Sequence, residues 1–577
     1  MIPAPRDRSS GAEAFSWRFV TPLFTGAAIN AINTSLIATA LVPIATAVHV
    51  SVGRTAVLVS ALYLASAIAQ PTGGKLAEEF GPRRVFLAGV LIVLVGGVVG
   101  GTGRDLTALV VARVLIGVGS SAVYPSAMLL IRRRADAAGL AAPPGGVLGG
   151  LMIAGAATST LGLPIGGVLV DAWGWRTTFL INLPVALLAL AMAVFWIPAD
   201  PPVEGSRTVR QVAVRLDVAG ILGFGGAMAA LLVFLMGLPH PNWTALGQAV
   251  VVGGGLLWWE LRASRPFIDV RLLGTNLALT RTYLRFALSS LCVYTVLYGL
   301  TQWLQAGRGM SAKEAGLLLL PMSALSALLA RPLSRRNLIR TPLIVAAASC
   351  LAASAGVLAL FTGTPIALIV LITLVFGITL GTTISANQTA LYTQAGPDQI
   401  GTAAGLFRTF GFLGSIASSA LISLVFHTHV TDHHLHVIAL IMVIVSVLGL
   451  VIVLTDRTIM AQARAEDRSL AGPASRPAPA TTAVQAVRVE IPGKVAGHLA
   501  DRTDLGEAER HALQRGRTVR RGQGYSLHVT ALPEVHQSLL LAAAATLDTD
   551  GASSADRKAL RIYADRLNAF AQVSQIR

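Results

Sequence analysis

The residues of this chain that are best suited to chemistry are polar side chains inside long apolar runs. Arg113 lies within such a run, where a guanidinium is costly unless it faces protein, water or a partner. Asn30 and Asn33 lie near the middle of the first run, and an amide donates and accepts hydrogen bonds but cannot titrate. These groups are candidates for a functional site, and hydrogen bonding between neighbouring helices is the alternative.

A second group of polar side chains lies in the C-terminal half. Tyr294, Tyr298 and Gln302 recur every four residues, so an α-helix places them roughly on one face. An aromatic, amphipathic face beside a cavity suits bulky apolar or cationic ligands, whereas an aromatic belt at the lipid interface is the alternative. Three more residues add buried polarity to later apolar runs: Asn387, Gln388 and Arg408.

The composition places these side chains in a membrane. The 577 residues are 54% hydrophobic and 13% charged, with a mean hydropathy of +0.67, whereas soluble domains carry about 25% charged residues. The net charge of +17 does not indicate a nucleic-acid partner, because the arginines fall in short loops between apolar runs. Cys292 and Cys350 both lie in apolar runs, so neither a disulfide framework nor a metal cluster is expected, and no cofactor is predicted.

Fourteen membrane spans are predicted, most of them close to the roughly 20 residues that cross a hydrocarbon core of about 30 Å. Their approximate bounds are 17–48, 54–72, 85–102, 106–131, 146–170, 176–197, 217–238, 245–261, 280–304, 316–333, 341–361, 365–391, 401–427 and 435–454. Arginine-rich loops alternate with loops that are nearly free of bases, which predicts that the former and both termini are cytoplasmic. We therefore expect a multi-pass protein in the bilayer of the cytoplasmic membrane.

A charged turn, Gly73–Arg84, lies between the second and third spans and reads GGKLAEEFGPRR. Its backbone polar groups would go unsatisfied in lipid, so it lies outside the hydrocarbon core. Five of its residues resemble the loop 2–3 signature of the major facilitator superfamily: Gly74, Glu78, Gly81, Arg83 and Arg84. Glu78 departs from the usual Asp. The resemblance implies that this loop stabilises one end state of an alternating-access cycle, with a purely topogenic loop as the alternative.

Three further motifs resemble those of the fourteen-helix drug–proton antiporters of this superfamily. Asn33-Thr34-Ser35 stands where they have Asp-x-Thr, which removes a titratable group. The run from Arg113 to Gly119 resembles their helix 4 motif, and the resemblance gives Arg113 a part in proton or substrate coupling. The third is an antiporter motif in the fifth span, typical of exporters: Gly162, Pro164, Gly166 and Gly167. Its small residues allow helices to approach closely, and simple close packing is the alternative reading.

Asp171 follows this motif near the outer interface. Because no acid lies in mid-membrane, Asp171 is the best titratable candidate for a proton site in the N-terminal half, and pairing with Arg176 is the alternative. Residues His427–His436 contain five of the eleven histidines. On a helix, part of this segment would suit metal binding or proton sensing, but a solvated loop is the simpler interpretation, and no metal site is predicted.

The predicted fold class is an all-α polytopic membrane protein of the major facilitator type with a small C-terminal α+β appendage. Its predicted parts are a cytoplasmic N-terminus (1–16), an N-terminal six-helix bundle (17–197), a connector with two inserted helices (198–275), a C-terminal six-helix bundle (276–454), a linker (455–485) and the appendage (486–577). Within the appendage we predict strands at Val487–Ile491 and Ser526–Val529, a helix from 504 to 516, and helices at Pro533–Ala545 and Ser554–Val573. No partner is assigned to it.

The resemblance covers roughly residues 17–454 and implies a secondary active efflux carrier. Its cargo would be hydrophobic or amphipathic drugs or antibiotics, exchanged for protons by alternating access. An exporter of an endogenous lipid or secondary metabolite without strict proton coupling is one alternative. A membrane sensor or scaffold with the appendage as output domain is another. Enzyme activity is not expected, and the chain contains no P-loop pattern to support an ATP-driven pump.

Overall fold

The computed structural model describes residues 15–456 apart from short gaps at 141–142, 201–215, 238–240, 264–265, 337–338 and 396–399. Beyond residue 456 it describes chiefly the segments 487–492, 507–514, 517–521 and 524–531. The chain divides into two units, Met1–Asp467 and Arg468–Arg577.

The first unit consists of helices, which are numbered here α1–α14. They are α1 Trp17–Leu36, α2 Val57–Phe80, α3 Pro82–Thr102, α4 Leu106–Ala137, α5 Gly145–Trp173, α6 Asn182–Trp196, α7 Val218–Met236, α8 Trp243–Glu260, α9 Leu277–Thr295, α10 Ala312–Arg336, α11 Arg340–Val357, α12 Ile366–Gln394, α13 Ile400–Val425 and α14 Asp432–Thr455. Short helices Leu41–Ala47, Thr177–Leu180 and Val270–Thr275 join some of them. Among the described residues, thirteen helical spans are long and apolar enough to cross a membrane, and they account for every numbered helix except α8. The predicted all-α polytopic fold is confirmed.

The two six-helix bundles are α1–α6 and α9–α14. In the first bundle Leu23, Phe86 and Val123 bring apolar side chains from α1, α3 and α4 into one buried cluster. Glycines let these helices approach closely, since a Cβ at Gly89 of α3 would lie 2.8 Å from the carbonyl oxygen of Gly119 in α4. Without a hydrophobic effect between helices in lipid, such close packing holds the bundle together.

The inserted helices α7 and α8 pack against each other. One carboxylate, that of Asp217, accepts hydrogen bonds from both helices and from the segment that follows α8. Asp217 has a positive φ of 55° and caps α7, where its side chain accepts a hydrogen bond from the Gly220 amide at 3.1 Å. The same carboxylate accepts from the Trp259 indole at 2.7 Å and from the Phe267 amide at 2.8 Å. This network fixes the end of α8 against the start of α7.

The second unit contains a three-stranded antiparallel sheet with the order β1-β3-β2. Its strands are β1 Val487–Pro492, β2 Arg517–Arg521 and β3 Gly524–Ala531, and a short helix, α15 Glu507–Gln514, precedes β2. The two predicted strands and the helix near 504–516 are present. Strand β2 was not predicted, because its arginine-rich sequence RTVRR does not show an apolar alternation. The helices predicted at 533–545 and 554–573 lie almost wholly outside the described residues.

Candidate functional site

A central cavity lies between the two bundles and opens at one end of the helices. We call this end the basic end; it carries the 73–84 turn and the arginines at 132–134, and the other end is the opposite end. The wide part of the cavity has a volume of about 550 Å³ and lies near the basic end. Six of its lining residues are Gly74, Glu78, Tyr124, Leu148, Gln388 and Tyr392. A deeper part of about 180 Å³ adjoins it through the shared lining residues Gln70, Arg408 and Phe412. The wide part alone falls in the range of roughly 300–1,000 Å³ that is typical of sites for organic ligands.

The deep part combines aromatic rings with neutral polar groups. Its walls include Phe286, Tyr294 and Phe412, together with the polar side chains of Asn30 and Thr383. Such a lining, mostly apolar with a few placed polar groups, is typical of sites for organic ligands. The deep part can therefore bind an amphipathic guest.

Arg408 of α13 joins the two parts, because it lines both. Its guanidinium carbon lies 4.6 Å from the centre of the Tyr124 ring on α4, so a cation–π contact bridges the bundles within the cavity. The side chain is exposed to the cavity and makes no ion pair with a described residue. Arg408 is thus a permanent positive charge in the path of any guest.

At the opposite end the bundles are in direct contact through α5 and α10. A Cβ at Gly167 of α5 would lie 2.5 Å from the carbonyl oxygen of Ala312 on α10. A Cβ at Gly316 of α10 would lie 2.6 Å from the carbonyl oxygen of Leu163 on α5. Gly167 of the predicted antiporter motif therefore lies in the contact between the bundles, which we call the α5–α10 seam. Gly162 and Gly166 instead pack against α1, where a Cβ at Gly166 would lie 2.8 Å from the Leu36 carbonyl oxygen.

A second seam at the opposite end joins α2 to α13. The hydroxyls of Ser60 and Ser419 are hydrogen-bonded to each other, and the Gly53 amide donates to the Phe426 carbonyl oxygen at 3.2 Å. With both seams closed and the basic end open, the cavity formed by the described residues is accessible from the basic end only.

Aromatic side chains close the inner end of the cavity, between the two seams. We call this cluster, Tyr63, Tyr294, Tyr298 and Phe412, the roof. The Tyr63 and Tyr298 hydroxyls, one from each bundle, are 2.9 Å apart, and Tyr298 donates to the Thr34 carbonyl oxygen at 2.7 Å. The Tyr294 ring contacts Tyr63 with centroids 5.2 Å apart, and Phe412 lies 5.8 Å from Tyr63. The roof is therefore an aromatic cluster held by hydrogen bonds between the bundles.

The predicted face of Tyr294, Tyr298 and Gln302 only partly reaches the cavity. Tyr294 lines the deep part, whereas Tyr298 and Gln302 are fully buried above it. Helix α9 continues into two π-helical turns, Val296–Leu300 and Trp303–Gly307, so the regular four-residue spacing does not keep these side chains on one face. Both polar atoms of the Gln302 side chain lack a partner among the described residues.

Arg113 is buried and links three helices of the first bundle. From α4 it donates through Nε to the Leu58 carbonyl oxygen of α2 and through Nη1 to the Asn33 carbonyl oxygen of α1, each at 3.0 Å. Its Nη2 has no partner among the described residues. The guanidinium lies within electrostatic reach of Tyr63 and Tyr298, directly behind the roof of the cavity.

The two asparagines of α1 have different surroundings. Asn33 is buried and exchanges hydrogen bonds with Asn182 of α6 at 2.6 and 3.0 Å, so it joins two helices and lies outside the cavity lining. Asn30 lines the deep part and donates to the hydroxyls of Ser120 and Ser121 on α4 at 3.1 and 3.3 Å. Of the two, Asn30 alone is placed to meet a guest.

The charged turn predicted at 73–84 is a turn only at Gly81, because residues 73–80 form the last turns of α2 and residues 82–84 form the first turn of α3. The short connection, which keeps the name 73–84 turn, is organised by an acid that was not predicted. Asp200, shortly after α6, accepts hydrogen bonds from the backbone amides of Arg83 at 3.2 Å and Arg84 at 2.9 Å, at the N-terminus of α3. A carboxylate there is stabilised by the helix dipole. Arg133 of α4 lies 3.9 Å from the same carboxylate. Gly81 has a φ of 98° and leaves no room for a Cβ beside Asp200.

The second bundle contains a buried ion pair that was also missed. Arg285 of α9 donates to the carboxylate of Asp456 at 2.8 Å, and both side chains are almost completely buried. Arg281 lies 3.6 Å from the same carboxylate. Asn387 accepts from Arg285 Nε at 3.4 Å, so this predicted cavity residue belongs to the ion-pair network, while its neighbour Gln388 lines the wide part of the cavity.

The remaining candidates lie near the opposite end. Asp171 is exposed, and Arg176 stacks on the Trp175 ring at 4.3 Å, so the ion pair considered between Asp171 and Arg176 is absent from the described contacts. Asp432 accepts hydrogen bonds from the Trp303 indole and from Thr362, which fixes the start of α14. The described residues contain no group of histidine, cysteine or acidic side chains arranged to hold a metal ion.

Comparisons with known proteins agree with this architecture. The profile described as Major Facilitator Superfamily matches residues 23–419. The uncharacterised MFS-type transporter YwoD of Bacillus subtilis is 32% identical over 438 residues, which cover 74% of this chain and 94% of that protein. The tetracenomycin C resistance and export protein of Streptomyces glaucescens is 30% identical over 329 residues, covering 55% of this chain and 58% of that protein.

A solved structure of a peptide transporter, POT, superposes with a TM-score of 0.57 at 14% identity, covering 78% of this chain and 95% of that chain. At this identity the likeness shows the fold alone. The profile match spans more than half of the chain. This chain belongs to the Major Facilitator Superfamily and is a multi-pass membrane transporter rather than an enzyme.

Proposed function

We propose that this transporter exports hydrophobic or amphipathic small molecules, such as drugs or antibiotics, across the cytoplasmic membrane by alternating access. The observation that carries the proposal is the central cavity, which is open at the basic end and closed by two seams at the opposite end. Arginine-rich ends of membrane helices face the cytoplasm, so cargo enters from inside the cell. The relatives named for export of an antibiotic support this direction.

The geometry of the two bundles supports alternating access. Closing the cavity at the basic end while opening the α5–α10 and α2–α13 seams would release the guest on the other side. The Asp200 contacts at the start of α3 tie the 73–84 turn to the first bundle, so this turn moves with its bundle. The roof tyrosines separate when the seams open.

A more specific proposal concerns the energy source that drives transport. The family resemblance favours proton antiport, with Asp171 as a candidate proton site. Glu78 is the only acid among the described residues that line the cavity. The alternative exporter of an endogenous lipid or secondary metabolite, without strict proton coupling, is favoured by this scarcity of acids.

The test is transport of a hydrophobic dye by the purified protein in proteoliposomes under an imposed pH gradient. We expect wild type to move the dye, Arg113→Ala to lose transport, and Asp171→Asn to lose dependence on the gradient if antiport operates. Asp136→Asn, which alters an exposed acid at the end of α4, is the matched control. If wild-type transport does not depend on the pH gradient, proton antiport is refuted and the export proposal is retained. If no dye moves, the export proposal is refuted.

A further inference from the structure

We propose that the cargo is an organic anion, an aromatic molecule with an acidic group that pairs with Arg408. This inference rests on the proposed export function and narrows its substrate class. It departs from the expectation that an aromatic face beside a cavity binds cations, because the charge of the cavity itself has the opposite sign.

The balance of charge in the cavity favours an anion. Among the described residues that line the deep part, Arg408 is the only charged side chain. Glu78 lines only the wide part, in the last turns of α2 near the basic end. A cationic guest that moves inward thus passes one carboxylate and then meets a guanidinium that no described lining residue neutralises. The repulsion between two cations is strong in a low-dielectric site.

Arg408 is also free to bind an acidic group. Its described contact is the face of the Tyr124 ring at 4.6 Å, and no carboxylate of the described residues accepts a hydrogen bond from its guanidinium. A guanidinium binds carboxylate or sulfonate oxygens through two parallel hydrogen bonds. The contact with the Tyr124 ring restricts the position of the guanidinium within the cavity.

A second polar group in the deep part lacks a partner. The Thr383 side chain is only 3% exposed, and its Oγ1 has no hydrogen-bond partner among the described residues. Thr383 and Arg408 line the same deep part, beside the rings of Phe286 and Phe412. A hydroxyl can donate to an anionic oxygen while the rings hold a planar aromatic body. The deep part thus provides polar groups for the acidic group of an aromatic acid and rings for its aromatic body.

A second buried cation lies behind the roof. Arg113 is 2% exposed, and the contacts described for it are to backbone carbonyl oxygens, with no carboxylate among them. Its charge adds to the positive potential at the inner end of the cavity. An anion at the inner end of the cavity is therefore stabilised by direct contact with Arg408 and, at longer range, by the charge of Arg113.

An anionic cargo also supplies a driving force that needs no titratable side chain. The loaded carrier has the charge of Arg408 neutralised, and the empty carrier returns with that positive charge towards the negative interior of the cell. For one charge, about 60 mV of membrane potential corresponds to about a tenfold accumulation ratio outside. The scarcity of acids in the cavity is consistent with this mode of export.

The test compares two pyrene probes of the same shape and opposite charge, 1-pyrenesulfonate and a pyrenylmethyl-trimethylammonium salt. Binding to the purified full-length protein is measured by fluorescence anisotropy, and transport is measured in proteoliposomes with equal pH on both sides and a potassium diffusion potential. We expect the sulfonate to bind at least tenfold more tightly than the ammonium probe and to move towards the positive side, reversing when the potential is reversed.

Three variants test whether the preference for the anionic probe depends on Arg408. R408Q should lose at least tenfold in sulfonate affinity and gain in ammonium affinity, R408K should retain most of the preference, and R132Q, an exposed arginine outside the cavity, should behave as wild type. If R408Q does not fold, the ratio of the two probes on wild type decides alone. Equal binding of both probes, or tighter ammonium binding, overturns the proposal. Sulfonate binding without movement across the membrane retains the anion site and refutes export.

Discussion

Replacing Arg285 by methionine should lower the free energy of unfolding by about 3 kcal/mol, because it leaves the buried carboxylate of Asp456 without its closest cation. Breaking a buried pair by removing one partner typically costs about 3–5 kcal/mol. We expect the lower end of this range, since Arg281 lies 3.6 Å from Asp456 and retains part of the pairing. The measurement is the unfolding transition of the purified protein in detergent.

The double variant Arg285→Met with Asp456→Leu distinguishes lost pairing from lost packing. Because the double variant removes both charges, it buries no carboxylate that has lost its closest cation. It should therefore recover at least half of the lost stability. Arg281→Met is the matched control, since its side chain is about half exposed and its removal should cost less than about 1 kcal/mol. A single variant as stable as wild type, or a double variant no better than the singles, would contradict the ion-pair assignment.

Gly167→Leu should reduce transport about 100-fold by preventing closure of the seam between α5 and α10. Even a Cβ at this position meets the Ala312 carbonyl oxygen and the Lys313 Cα, which are backbone atoms that cannot swing away. Overpacking of this kind costs about 1–3 kcal/mol, and 1.4 kcal/mol changes an equilibrium tenfold. The closed seam would then be rarely populated, and the carrier would remain open at the opposite end.

The effect should be graded with size and specific to the contact. Gly167→Ala adds only the Cβ and should cause an intermediate loss in dye export from proteoliposomes. Gly155→Ala lies on the same helix, where no atom is within 4 Å of the added Cβ, and should export as wild type does. If Gly167→Leu transports normally while folding normally, the seam is not a required contact of the transport cycle.

The sequence was sufficient for the helical architecture because membrane spans are local features. Hydropathy and length identify thirteen of the described helices as membrane spans. The remaining predicted span coincides with α8, which contains three tryptophans, four glycines and Glu260 and was predicted with the help of its neighbouring motifs. The antiporter glycines were also correctly marked as places of close approach, since only small residues allow backbones to touch. What the sequence did not reveal is which helix each motif would touch.

The missed residues depend on contacts between distant parts of the chain. Asp200 lies 117 positions from Arg83, and Asp456 lies 171 positions from Arg285, so no local pattern connects them. Asn33 and Asn387 were predicted as cavity groups because polarity in a span indicates function, yet their hydrogen bonds are to Asn182 and Arg285. Tyr298 and Gln302 are buried because α9 changes to π-helical turns, which a four-residue spacing cannot anticipate.

The central claim is a cavity between two bundles that opens only towards the cytoplasm. Cysteine labelling with a membrane-impermeant maleimide in sealed vesicles of known orientation tests it most directly, since both native cysteines are buried. Met128→Cys in the wide part should react from the cytoplasmic side alone and be protected by bound cargo. Ser419→Cys in the closed seam should react only from the outer side, and at least tenfold more slowly than Met128→Cys, because the seam opens only when the carrier turns outward. Labelling of Met128→Cys from the outer side, or labelling of Ser419→Cys from the cytoplasmic side, would contradict this arrangement.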